Sequence, residues 1–146
     1  MDNGGVGIRI QYAEGAGELT EAWVKRTLKK VRRGGRCHLY MTLDPDGESS
    51  FFRLDGENGY FFLAIGEERT EENRVRWTFY TSCDPRCAGS EEIAPIHGGQ
   101  DIILKRDTIQ DPELAARCAE WYIRTGTPYP DMGWMKSDES GKTAEK

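Results

Sequence analysis

Cys83 and Cys87, separated by three residues in SCDPRCAGS, come nearest to a chemical site in this chain. His97 follows ten positions after the second, and a Cys37-His38 pair lies upstream. Thiolates and imidazoles are the ligands of structural zinc, and a thiol beside a histidine base is the start of nucleophilic catalysis. Neither chemistry is completed. Structural zinc usually brings paired short spacings, and a single C-x3-C does not supply them. A zinc nucleobase deaminase needs a ligand histidine beside a catalytic glutamate and a P-C-x-x-C pair, whereas His38 stands in HLY and His97 in HGG. GVG at 5–7 and HGGQ at 97–100 fit neither a dinucleotide fingerprint nor a Walker A loop. The carboxylates of DPDG and DGENG are expected to be solvated turn residues rather than an acid/base pair. The chain is therefore expected to be no enzyme, with no catalytic residue, no metal and no cofactor.

Charge is the next resource. The 146 residues carry a net charge of −5, which discourages binding to nucleic acid or to an anionic membrane. Direct nucleic-acid and membrane partners are accordingly not expected. The charge is uneven. From Asp44 to Glu72, nine carboxylates (Asp44, Asp46, Glu48, Asp55, Glu57, Glu67, Glu68, Glu71, Glu72) face two arginines. From Glu21 to Arg36, seven cations face one carboxylate. The ordinary explanation of such runs is a set of solvated loops and a wet helix face.

These groups need elements to position them. Val6–Tyr12 alternates as a half-buried strand, and Thr20 caps a helix to about Arg33 whose stripe is Val24, Leu28 and Val31 with Trp23 and Thr27, stopped by Gly34-Gly35. Arg36–Leu43 alternates again. Glu48–Leu54, Gly59–Ile65 and Arg74–Ser82 continue a meander, with DGENG as a turn, Glu67–Glu72 as a loop, and Val75, Trp77 and Phe79 facing inward. Ile102–Leu104 reads as a short last strand. Asp111 then caps a helix with Pro112 at its first position, an apolar stripe of Leu114, Ala115, Cys118, Ala119 and Tyr122, and Gly126 as its stop. Pro128 and Pro130 steer Trp134 back to the body.

The expected fold is α+β: an antiparallel meander of about five to six strands with the N-terminal and C-terminal helices on one face. Residues 1–135 form one domain, and 136–146 are expected to be a disordered tail. The N-terminus has no basic and apolar leader, and no run approaches the ~20 apolar residues of a membrane span, so the chain reads as cytoplasmic with reduced thiols.

Over roughly residues 36 to 134 the chain resembles a known family, the first-numbered immunity-protein family of bacterial polymorphic toxin systems. The resemblance is carried by the central strand in DGENGYFFLAI, the short DIILK, the helix end AARCAEWYIRTG and the tail TPYPDMGW. It implies a non-enzymatic antidote for one cognate toxin, often a nucleic-acid deaminase. A toxin of that kind has a cleft lined with Lys and Arg, and an acidic surface could occupy it as a phosphate mimic, with steering to speed association. The expected partner-binding residues are Asp44, Asp46, Glu48, Asp55, Glu57, Glu67, Glu68, Glu71 and Glu72, with Tyr60, Tyr40 and Tyr80 as aromatic anchors. The competing readings are a general protein-interaction module, or a small hydrolase or metalloprotein built on Cys83 or Cys87 with His97.

Overall fold

The computed structural model describes residues 8–10, 12–14, 17–42, 50–96 and 102–138, with 17 and 18 by backbone alone. In chain order these form β1 (Tyr12–Ala13), β2 (Gly17–Glu18), α1 (Glu21–Arg32), β3 (Cys37–Thr42), β4 (Phe51–Glu57), β5 (Tyr60–Glu71), β6 (Arg74–Thr81), β7 (Thr108–Ile109), α2 (Pro112–Thr125) and β8 (Met135–Asp138). The fold is α+β. Its antiparallel sheet runs β2-β1-β3-β4-β5-β6-β8, while the two-residue β7 pairs with Phe61 and Phe62 at the start of β5.

Both helices form where local chemistry directs them. The Thr20 hydroxyl accepts the Trp23 N–H at 3.1 Å, and an Asp111 carboxylate oxygen accepts the Leu114 N–H at 3.1 Å. Gly126 ends α2 at φ 75, a left-handed conformation that any side chain would strain. Val24, Leu28 and Val31 of α1, and Ala115, Ala116, Cys118, Ala119, Tyr122 and Ile123 of α2, are buried against one face of the sheet. That face presents Leu39, Met41, Phe52, Leu54, Phe61, Leu63 and Ile65, with the Phe52 and Tyr122 rings 5.2 Å apart.

Tyr122 is wholly buried and its hydroxyl has no hydrogen-bond partner among the described residues; burial also pushes its phenol well above the ordinary range. Tyr122→Phe keeps the ring and removes an unsatisfied oxygen. It is expected to raise stability by about 1 kcal/mol, read from the urea midpoint.

Several boundaries differ from expectation. The turn of DGENG is Asn58-Gly59 alone, both at positive φ as a two-residue hairpin requires, so Asp55, Gly56 and Glu57 belong to β4. Glu67–Glu71 are not loop but the outer half of β5, turning through Glu72-Asn73, again both at positive φ. The strand expected at 102–104 is only a bridge between Ile93 and Leu104; the paired strand is Thr108–Ile109. Ile8–Ile10 is not in a strand. The Arg9 and Ile10 N–H groups both donate to the Ile123 carbonyl at the end of α2. Of the residues expected in the tail, 136–138 are structured, because Met135–Asp138 add to the edge of β6 through backbone hydrogen bonds, which need no apolar side chains, and 139–146 lie outside the described residues. No helix among the described residues is long and apolar enough to cross a membrane.

Candidate interaction face

Strand alternation sends the second set of side chains to the face that the helices leave open. Register places there His38, Tyr40 and Thr42 of β3; Phe51, Arg53, Asp55 and Glu57 of β4; Tyr60, Phe62 and Glu68 of β5; and Val75, Trp77 and Phe79 of β6. This corrects the expectation for β6: Val75, Trp77 and Phe79 face away from the helices, while Thr78 and Tyr80 face toward them.

The open face has two ends. At one, residues of the segments 84–96 and 102–107 lie against the sheet, so that Tyr60 and Phe62 pack against Ala94, Ile96 and Ile103. At the other, the rings of Tyr40, Phe51, Trp77 and Phe79 form a row, with successive centroids 5.5, 6.4 and 5.7 Å apart. No described element covers this row. Val75 and Met135 on the same face are 43% and 46% exposed. Gly66 makes the row possible: a Cβ there would come within 2.4 Å of the Phe51 ring, which therefore lies down on the sheet.

Between the two ends sits a charged network. Asp55, only 1% exposed, accepts from Arg53 Nε at 2.7 Å through one oxygen and meets His38 Nδ1 at 2.5 Å through the other. His38 Nε2 meets Glu14, in the turn after β1, at 3.0 Å. Arg53 also lies over the Phe62 ring, 5.1 Å from its centroid. The Asp55 contact, with help from Glu14, raises the His38 pKa above its ordinary value against a smaller opposing effect of burial. A histidine so raised stabilises the fold fully below about pH 6.5, and this contribution is lost as pH rises through the folded-state value. His38 is 45% exposed, so the effect is screened and small. Unfolding midpoints of wild type are expected to fall slightly over that window relative to His38→Gln, and parallel curves would refute the coupling.

The expected acidic site does not assemble as one patch among the described residues. Asp55 is a buried structural carboxylate, not a surface one. Glu57 and Glu68 share its face, but Glu68 lies about 20 Å along the strand from the position opposite Asp55. Glu67 and Glu71 project to the helix side. Glu67 accepts from the Tyr80 hydroxyl at 3.3 Å, and Glu71 is held by Arg69 at 3.0 Å and Arg76 at 3.2 Å. Glu72 is exposed at the hairpin turn. Asp44, Asp46 and Glu48 lie outside the described residues, as does His97. Of the three tyrosines, Tyr40 joins the open row, Tyr60 is occupied by its own chain with Lys105 Nζ 5.5 Å from its ring, and Tyr80 packs on the helix side against Trp134.

The Cys83 and Cys87 thiols are unpaired; Cys83 donates to the Gly133 carbonyl at 3.4 Å, and Cys87 sits 3.8 Å from an Asp84 oxygen. No group of three metal-ligating side chains occurs among the described residues.

Sequence reasoning missed the aromatic row and the Arg53–Asp55–His38–Glu14 network. The signal for the first was present: β6 alternates an aromatic set with Arg74, Arg76, Thr78 and Tyr80, and β4 places Phe51 on the same side as Arg53 and Asp55. No family model, curated protein or solved structure matches the chain.

Proposed function

We propose that the protein is an immunity protein that binds and neutralises a cognate bacterial toxin, with a nucleic-acid deaminase as the class its sequence resemblance implies. The observation that carries a binding role is the row Tyr40–Phe51–Trp77–Phe79, which no described element covers, on the sheet face turned away from the helices and the main core. Aromatic side chains that stand on a rigid sheet beside exposed apolar neighbours are the composition of interface hot spots. Glu68 on the same face and a net charge of −5 suit a partner whose rim is basic, as a nucleic-acid cleft must be. Inhibition on this reading is stoichiometric. The aromatic row supplies contact energy, and the carboxylates around it supply steering instead of a single phosphate-mimicking patch.

The test is co-expression with the C-terminal domain encoded by the adjacent toxin gene. Rescue of growth together with a co-eluting 1:1 complex is the expected result. A toxin that still kills and elutes alone would reject the proposal. Binding to a non-toxic neighbour would instead identify a general interaction module.

A further inference from the structure

α1 carries a second surface on its far side. Its buried stripe faces the core, and its one carboxylate, Glu21, turns toward α2, where both oxygens bind Arg124 at 3.1 Å. Arg32 turns the same way and meets Glu113 at 2.9 Å. Arg26, Lys29, Lys30 and the capping Arg33 are left exposed on the outward face, and Lys25 is exposed at its edge, where it lines the groove toward α2 with Glu21 and Glu120; none of the five pairs with a carboxylate among the described residues. Elsewhere Arg53, Arg76, Lys105 and Arg117 each meet a carboxylate.

The spacing makes this array unfavourable for the helix itself. Lys25/Lys29, Arg26/Lys30 and Lys29/Arg33 are i,i+4 like-charge neighbours, and Arg26/Lys29 and Lys30/Arg33 are i,i+3 neighbours, so each pair repels. The helix dipole favours cations in the last turn but not Lys25 and Arg26 near the start. The five cations cover an arc of about 140° and a length of about 12 Å on a cylinder about 10–12 Å wide.

We infer that this outward face of α1 is a binding surface for the phosphate backbone of double-stranded nucleic acid. The net charge of the chain argues against such a partner. The local balance reverses that argument, because Glu21 is locked to α2 and the other carboxylates lie on other elements. An acidic protein partner fits less well: the face offers only Ala22 between the cations, with no aromatic or large apolar anchor of the kind protein interfaces use. A membrane fits less well again, since the apolar stripe of α1 is spent on the core and nothing remains to enter a bilayer. The width of the helix is close to the ~12 Å of a B-form major groove, and lysine and arginine alone give contact without base reading. The surface is separate from the open sheet face, so it does not depend on the toxin reading.

The experiment is fluorescence anisotropy of the full chain with a labelled 20-base-pair DNA duplex. Expected is sequence-independent binding with Kd on the order of 10 µM at 50 mM salt, and a log–log salt slope of about −3 to −5. The K25E/K29E/R33E variant is expected to bind about tenfold or more weakly, with a shallower slope. Its fold is checked by circular dichroism, and K25Q/K29Q/R33Q replaces it if it fails to fold. Absence of binding at 50 mM salt, or equal binding by the variant, overturns the inference. Polyglutamate of matched charge that displaces the labelled duplex as well as unlabelled duplex does would also overturn it, assigning the face to acidic protein instead.

Discussion

Asp55→Ala is expected to cost about 3–5 kcal/mol of folding stability, the usual consequence of removing one member of a buried charged network. The carboxylate is enclosed at the centre of the open face and satisfied from both sides, by Arg53 Nε at 2.7 Å and by His38 Nδ1. Deleting it leaves a guanidinium over Phe62 and an imidazole without their shared acceptor. Arg53 is 24% exposed and keeps some water, which places the loss toward the lower end of the range. Asp55→Asn keeps the volume and one acceptor oxygen, and should lose roughly half as much, since one neutral hydrogen bond replaces a charge-assisted one. Urea unfolding of the two variants measures both, and a double-mutant cycle with His38→Gln isolates the histidine term. A loss below about 1 kcal/mol for the alanine variant would mean that the network is not formed. Corrected for unfolding, partner affinity of Asp55→Asn should not change, because a buried carboxylate has no face to offer.

How much of this was legible in the sequence follows from what each signal measures. The helix ends are local chemistry: Thr20, Asp111, Pro112 and Gly126 act within one turn of their own position, and all four stand where their residue types require. The core stripe of α1 and the inward set Cys37, Leu39 and Met41 of β3 are legible for a similar reason, since a one-sided apolar period has one reading. β6 is different. Both of its faces carry large side chains, so alternation separates Trp77 and Phe79 from Thr78 and Tyr80 without saying which set meets the helices. The helix side of β6 is the more polar set because its outer half extends past the helices, where Arg76 pairs with Glu71 on the neighbouring strand.

The acidic run was misleading for a related reason. Counting Glu67, Glu68, Glu71 and Glu72 along the chain gives one cluster, but a strand sends alternate members to opposite faces. The intervening Arg69 and the cross-strand Arg76 bind Glu71. Asp55 shows the same limit. Nothing local marks it as buried, because its burial depends on Phe62, Arg53 and His38 arriving from three strands. Met135–Asp138 were invisible as a strand because an edge pairing is a property of the backbone.

On the proposed function, Trp77→Ala is expected to weaken binding of the proposed toxin partner by about 2 kcal/mol or more, roughly 30-fold in Kd, because central aromatic anchors carry most of the energy of an interface. The indole sits mid-row, stacked on Phe79 with its plane 5° from the phenyl ring and 6.4 Å from Phe51, and is braced on both sides before any partner arrives. Little conformational entropy then remains to be lost on binding. Trp77 is only partly buried in the free chain, so its truncation should lower stability far less than loss of a core ring such as Phe52. Two comparisons separate the docking face from general damage. Tyr60→Ala, on the end of the same face already covered by Ala94, Ile96 and Ile103, should lower stability but leave Kd unchanged. Glu68→Lys should slow association, most at low salt, with little change in dissociation. Isothermal titration for Kd and surface plasmon resonance for rates supply the readouts. A Trp77→Ala protein that binds its toxin with wild-type Kd would place the interface elsewhere, even if co-expression still rescued growth.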